Sequence, residues 1–145
     1  MKEITIYNDF NPNFSYNKEK IENILFDVLS EIDFVKIKLS IIFTNRDFLR
    51  RMKKKYFNID QFTDVIAFNL SEEKKKLDGE IYISIDDVKE NAKLFLEQFD
   101  NEFKRVVIHG ALHLIGYEDS NKEEKKNMRI IEDRYLSKFN FTLTK

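Results

Sequence analysis

The chain lacks cysteine and tryptophan, and its 145 residues include only three glycines, one proline and two histidines. Without cysteine it can form neither a disulfide nor a thiolate metal site, so any metal ion has to be held by histidine and carboxylate. The scarcity of glycine and proline argues against long irregular loops. The absence of cysteine also fits a reducing compartment.

Long apolar runs and an excess of one charge are absent as well. The N-terminal sequence MKEITIYNDF is typical of a strand rather than of a signal peptide, and no apolar run reaches the length of a membrane span. We therefore expect a cytoplasmic protein with no membrane partner. The formal net charge of −1 excludes a global basic field for nucleic acid.

Apolar residues make up 42% of the chain and include 14 phenylalanines, which predicts one folded domain over residues 1–145. Apolar periodicity predicts strands at 3–7, 36–43, 63–69 and 79–85. It predicts helices at 17–31, after 44 or 45, from 86 or 87 to about 99, at 101–115 and at 121–139. We expect an α/β (α+β) domain in which one mixed four-stranded sheet packs against about five helices.

The two histidines, His109 and His113, are four residues apart in the sequence VVIHGALHLIGYEDS. On a helix this spacing puts both imidazoles on one face, where they can bind the same metal ion. Gly116 tolerates the positive φ that ends a helix, so the chain can turn back and bring Asp119 to the histidines. The sequence therefore predicts a metal site at the C-terminal helices, with these three side chains as ligands. The alternative at this point is that both histidines only fill or cap a helix face.

Three nitrogen and oxygen ligands leave one position of a tetrahedral Zn²⁺ open to water, as in catalytic zinc sites. We expect one Zn²⁺ per chain, with another divalent metal as the alternative, because such ligands discriminate weakly between metals. Gly110 follows His109, so the pattern lacks the glutamate of an H-E-x-x-H metalloprotease. The pattern singles out no separate general base, and the metal-bound water is the only catalytic group expected.

The sequence HGALHLIGYED resembles H-G-x-L-H-L-x-G-Y-D-H, the signature of the YbeY family of ribosomal-RNA maturation factors. Further segments resemble the family as well, namely TDVIAF at 63–68, Gly79-Glu80-Ile81, and Met128 with Glu132. The resemblance implies a zinc-dependent single-strand endoribonuclease that acts in the maturation of small-subunit (16S) ribosomal RNA. The partners that it implies are ribosomal RNA and the small ribosomal subunit or its proteins.

Two positions depart from the family pattern. Asp119 replaces the third histidine of the signature, which makes the site one unit more negative. Phe57 stands where the pattern Y-R-x-x-D-x-x-T-D has an arginine that is thought to meet the RNA phosphate. The candidates to replace that cation are Arg50, Arg51, Lys53, Lys54 and Lys55. A solvated helix face is the other interpretation of this basic cluster.

Three further residues are candidates to support the metal ligands or contact substrate. Thr63 and Asp64 precede a predicted strand, and Glu132 lies on the last predicted helix, where each could hydrogen-bond a ligand imidazole. The alternatives are a local bond at the start of the strand and a glutamate that faces water. Two other functions remain open: a non-catalytic ribosome-assembly factor stabilised by its metal, and a metallohydrolase with a different substrate.

Overall fold

The computed structural model describes residues 1–144 and contains a single four-stranded sheet with helices on both of its faces. The elements in chain order are β1 (Lys2–Asn8), α1 (Lys18–Leu29), β2 (Lys36–Thr44), α2 (Arg46–Phe57), β3 (Val65–Asn69), β4 (Lys76–Ser84), α3 (Ile85–Leu94), α4 (Phe99–Leu114) and α5 (Lys122–Leu136). Within this range the predicted mixed sheet and five helices are confirmed.

The strands lie in the order β1-β2-β4-β3. β1 pairs with β2 and β2 pairs with β4 in parallel, whereas β3 pairs with β4 antiparallel. The parallel pairs are joined by crossover segments that contain α1 and α2, because two parallel strands cannot be joined by a tight turn. Residues 70–75 connect β3 to β4 as a hairpin, and four of the six are charged.

The helix starts were predicted more accurately than the starts of β3 and β4. Asn17 caps α1 by accepting from the backbone N–H of Lys20 at 3.0 Å, and Asn45 caps α2 in the same way. β3 begins at Val65 rather than at 63, and β4 begins at Lys76 rather than at 79. Residues 76–78 of β4 pair in parallel with β2, and the antiparallel ladder with β3 begins only at Gly79, so backbone pairing rather than side-chain pattern sets the start of β4.

The helix predicted to reach residue 99 ends at Leu94, and α4 begins at Phe99. Leu96 has a φ of 55° between the two helices, and the N–H of Glu97 donates to the carbonyl of Ala92 at 2.8 Å. This bond is made across a chain reversal that ends the helix. The apolar residues at the reversal are exposed, Leu94 by 74% and Leu96 by 94%. Their spacing resembled a buried helix face, but they are not buried, and the helix ends earlier than predicted.

Helix α4 lies very close to β3 and β4, and Gly110 makes this approach possible. A Cβ atom added to Gly110 would lie 2.9 Å from Ile81 Cγ2 and 3.3 Å from Val65 Cγ2. The same helix buries Phe103, Val107 and Leu112 in the main core. The opposite face of the sheet, which we call the outer face, is contacted by α2. Within residues 1–144, no helix has the length and apolar character needed to cross a bilayer.

Candidate metal centre

His109 and His113 lie one turn apart on α4, and Asp119 faces both of them from the segment after the helix. The two Nε2 atoms are 3.0 Å apart. Asp119 Oδ2 is 3.3 Å from His109 Nε2, and its Oδ1 is 3.5 Å from His113 Nε2. The histidine side chains are 22% and 27% exposed, so the cluster lies at an accessible edge of the protein.

The segment between α4 and α5 returns because of its local bonds. Gly116 has a φ of +104°, and the N–H of Tyr117 donates to the carbonyl of Leu112 at 3.1 Å. The Tyr117 hydroxyl donates to Glu31 at 2.8 Å, and Tyr135 of α5 donates to the same carboxylate. These bonds tie the segment to α5 and to Glu31, which follows α1, and they hold Asp119 over the histidines.

The separation of these three side chains fits a divalent metal ion. A tetrahedral ion bound about 2.0–2.1 Å from each ligand atom would hold those atoms about 3.3 Å apart. The two Nε2 atoms are 3.0 Å apart, and they lie 3.3 and 3.5 Å from different oxygens of Asp119, so each pair is close to that value. One ligand atom from each of the three residues lies within 4.8 Å of the others. A carboxylate and two imidazole lone pairs that converge in this way repel one another unless a cation or a proton lies between them. His109, His113 and Asp119 are therefore able to hold a metal.

Glu132 of α5 orients His109 from behind. Its Oε2 lies 2.5 Å from His109 Nδ1, and its Oε1 accepts from Arg105 at 3.0 Å. A hydrogen bond from Nδ1–H to this carboxylate leaves the lone pair of Nε2 directed at Asp119. Burial lowers the pKa of His109, but the hydrogen bond and the charge of Glu132 outweigh it, so the pKa is raised overall. Glu132 is itself buried and does not face water.

A cleft of about 340 Å³ opens beside His109 and Asp119. Its lining includes carboxylates and cations from α4, α5 and the start of β3. These are Asp64, Glu102, Glu132, Arg105, Lys125 and Arg129. Burial raises the pKa of Glu102 to about 7, with a further contribution from the charge of Asp64. Burial also raises the pKa of Asp64, against the charge of His109. Groups with shifted pKa values of this kind are frequent at functional sites.

The structure separates the other predicted residues into two groups. Asp64 lies in the cleft and accepts from the Asn91 amide at 3.3 Å, whereas the Thr63 hydroxyl donates to the backbone carbonyl of Val65. Thr63 therefore makes the local bond expected at the start of a strand. Lys53, Lys54 and Lys55 lie on α2, and Lys54 lines a different cavity with Arg50 and Arg51.

The sequence reasoning missed the cations and one carboxylate of the cleft. Arg105 precedes His109 by four residues and Glu102 precedes it by seven, so both lie on the helix face that carries the histidines. Arg129 precedes Glu132 by three residues on α5. Helical spacing from the residues already chosen could have identified these side chains. It could not show that they border one cleft, because that depends on how α4 packs against α5.

The fold and the site define an α/β protein with a candidate metal centre of the kind found in hydrolases. Residues 6–140 match the family described as Endoribonuclease YbeY. A relative of that name from Cytophaga hutchinsonii is 38% identical over 140 residues, which cover 94% of this chain and 97% of the relative. A second, from Karelsulcia muelleri, is 46% identical over 113 residues, which cover 78% and 79%. The chain belongs to the YbeY endoribonuclease family.

A solved structure shows a similar fold. The solution structure of TM1509 from Thermotoga maritima superimposes with a TM-score of 0.61 and 28% sequence identity. The match covers 93% of this chain and 87% of the other. The similarity of fold therefore extends over most of the molecule.

Proposed function

We propose that this protein is a metal-dependent endoribonuclease that cleaves single-stranded RNA in the maturation of 16S ribosomal RNA. The observation that carries the proposal is the convergence of His109, His113 and Asp119 at the edge of a cleft that also contains cations. The relatives named Endoribonuclease YbeY support the choice of RNA as substrate. The partners in this proposal are ribosomal RNA and the small ribosomal subunit or its proteins, and the metal is Zn²⁺ or another divalent ion.

A bound divalent ion would polarise a phosphoryl oxygen and activate water for attack on phosphorus. The residues of this chain would prepare that step. Glu132 keeps the proton of His109 on Nδ1, so that Nε2 stays available as a ligand. Arg129 and Lys125 line the cleft and are placed to attract the RNA phosphate. Arg105 is held by Glu132 and Asp133, and it balances their charge behind the ligand histidine.

A cleavage assay tests the proposal directly. The purified protein is incubated with an end-labelled, unstructured RNA in the presence of Zn²⁺ or Mn²⁺ and, separately, of a chelator. We expect cleavage that depends on the metal and is abolished in His109→Ala. The same sequence annealed into a duplex is the matched substrate control. Intact RNA with the metal-loaded protein, or equal cleavage by His109→Ala, would contradict the proposal.

A non-catalytic role in ribosome assembly is the second candidate, and the acidity of the cleft favours it. Four carboxylates line the cleft against three cations, and those that are ionised repel phosphate. They belong to Asp64, Glu102, Asp119 and Glu132. In this alternative a metal would only hold α4, the segment after it and α5 together. Replacing the native gene by one encoding His109→Asn separates the two functions. Normal 16S ribosomal RNA maturation in that strain would favour the assembly factor, and a precursor that accumulates would favour the nuclease.

A further inference from the structure

Five aromatic side chains away from the cleft form a continuous cluster on the outer face of the sheet. They are Phe48, Tyr56 and Phe57 of α2, Phe68 of β3 and Tyr82 of β4, and we call them the aromatic platform. Neighbouring ring centroids are 5.6–6.3 Å apart. Phe57 stacks on Phe68 with an interplanar angle of 12°. The rings therefore form one connected surface.

The α2 part of the aromatic platform is open to solvent. Tyr56 is 58% exposed, Phe57 is 46% exposed and Phe48 is 38% exposed. A single exposed aromatic residue is ordinary in a folded protein, whereas a contiguous exposed group is characteristic of a binding surface. Because the rings already contact one another in the folded chain, a ligand would meet a preformed surface.

The charge around the aromatic platform indicates what kind of ligand fits it. Helix α2 has the sequence RDFLRRMKKKYF, with six basic residues and one acidic residue, in a chain whose formal net charge is −1. The ammonium of Lys53 lies 5.8 Å from the ring centroid of Phe57, and that of Lys55 lies 5.2 Å from the ring centroid of Tyr56. Glu80 adds one carboxylate beside Tyr82. The surface therefore suits an anionic ligand that also has flat rings.

The aromatic platform is connected to the cleft by β3 and by the segment before it. Asp64 lines the cleft, and Phe68 follows four residues later, which is about 13 Å along a strand. Phe62 lies in the preceding segment, with the guanidinium of Arg50 4.8 Å from its ring centroid. β3 is an edge strand of the sheet, with the aromatic platform on one side of it and the cleft on the other. An RNA strand that passes around this edge would contact both surfaces.

We propose that the aromatic platform and the lysines of α2 bind single-stranded RNA and lead it to the cleft. Unpaired bases would stack on Phe57 and Tyr56, while Lys53, Lys54 and Lys55 would contact phosphates. Single strands present their bases for stacking, whereas a duplex hides them. The inference rests on the proposed function, because the strand bound here is the substrate offered to the metal centre.

RNA binding measured by fluorescence anisotropy tests the inference with the full, metal-loaded chain. The probe is a labelled, unstructured 12-nucleotide RNA whose integrity is checked on a gel, and the titration is repeated with His113→Ala. We expect Phe57→Ala to weaken binding about tenfold, because base stacking on aromatic side chains contributes strongly to single-strand binding. Phe57→Tyr keeps a ring and should bind as the wild type does. Thermal unfolding of each variant shows that the fold is retained.

Two triple-lysine variants provide a matched test of the charge. Replacing Lys53, Lys54 and Lys55 by Gln removes three phosphate contacts. Log affinity should then fall less steeply with log salt concentration, with the magnitude of the slope smaller by about 2. Replacing Lys74, Lys75 and Lys76 by Gln makes the same change in net charge at the end of the β3–β4 connection and the first residue of β4, outside the aromatic platform and α2. That control should leave the slope nearly unchanged.

The binding assay separates this inference from the proposed function. Unchanged affinity in Phe57→Ala and in the Lys53–Lys55 variant would overturn the inference, even if the protein cleaves RNA. Equal losses in the two triple-lysine variants would overturn it as well, since they would show only a net-charge effect. Binding that depends on Phe57 and these lysines, without any cleavage, would support the inference and contradict the proposed nuclease function.

Discussion

Lys104 and Arg105 are neighbours on α4, and their positive charges are used in different ways. The ammonium of Lys104 is buried and donates to the backbone carbonyls of Phe139 and Phe141, each at 3.0 Å. It also lies 3.6 Å from Asp100, which accepts from the backbone N–H groups of Leu143 and Thr144. Arg105 points toward α5 instead, where it binds Glu132 and Asp133.

The two networks differ in how they end. The Lys104 ammonium donates to two carbonyls and its charge is paired with that of Asp100, so all the partners in this network belong to the C-terminal segment and to α4 itself. The network of Arg105 continues through Glu132 to His109 Nδ1, and the other nitrogen of that imidazole faces Asp119. Burial of a charge therefore does not by itself mark a functional site. The distinguishing feature is a network that ends at a potential metal-ligand atom, His109 Nε2, at the edge of a cleft.

Removing one ligand of the metal centre should have the largest effect. His113→Ala leaves two ligands, and we expect the protein to lose its bound metal completely after desalting. The metal content is measured by elemental analysis after loading with Zn²⁺. Lys104→Met is the control, and it should keep about one metal ion per folded chain under the same conditions because Lys104 lies outside the network that reaches His109. Metal retained by His113→Ala would show that the three converging side chains are not the site.

Breaking the Lys104 network should destabilise the fold without removing the metal. Lys104→Met leaves two buried carbonyls without their donor and Asp100 without its ion-pair partner, which should lower the free energy of unfolding by about 3 kcal/mol. Urea denaturation measures the change. Lys18→Met, at an exposed position on α1, is the control and should change stability by less than about 0.5 kcal/mol. If Lys104→Met is no less stable than this control, the network has no structural role.

Glu132→Gln tests whether the Arg105 network acts through His109. The amide keeps the shape of the side chain but loses the negative charge beside His109 Nδ1, so metal affinity should fall about 10- to 100-fold. Asp133→Asn is the matched control, because it removes the other carboxylate of Arg105 without touching His109. Metal titration by calorimetry compares the two variants. Equal affinity losses would show that Arg105, rather than the contact of Glu132 with His109, matters for binding.

Glu102 should make stability depend on pH. Its pKa is raised from 4.5 to about 7 in the folded protein, chiefly because of burial, so the folded state binds the proton more tightly than the unfolded state does. The free energy of unfolding should therefore fall as the pH rises through this range, by about 1–3 kcal/mol. With a chelator present, Glu102→Gln should remove most of this pH-dependent decrease in the free energy of unfolding. Glu72→Gln, at an exposed position, should not. A wild-type stability that stays constant over this range would contradict the prediction.

Local sequence spacing was enough to predict which three side chains converge at the candidate metal centre. His109 and His113 share a helix face through their four-residue separation, and Gly116 supplies the positive φ that turns the chain toward Asp119. These relations span only eleven residues, and helix and turn geometry determine them. The four strands were predicted for a similar reason, since alternation within each strand is local. The end of α3 was not, because the apolar residues around Leu96 do not pack inward.

Contacts between distant elements were beyond the reach of the sequence pattern. Glu132 was a candidate to support a ligand, but a glutamate on a polar helix looks the same whether it faces water or His109. Only the packing of α4 against α5 brings the two together, 23 residues apart in the chain. The same packing separates the roles of Lys104 and Arg105, which the sequence presents simply as two adjacent cations.

The sequence by itself determined the element types, the histidine pair and the turn that returns Asp119, because short-range backbone geometry governs all three. The tertiary structure decided which charges lie at the cleft, which charge holds the C-terminal segment, and that five aromatic rings from α2, β3 and β4 form one surface. Those arrangements depend on contacts between elements far apart in the chain. The residue type and the local sequence of these side chains do not specify which distant residue they contact.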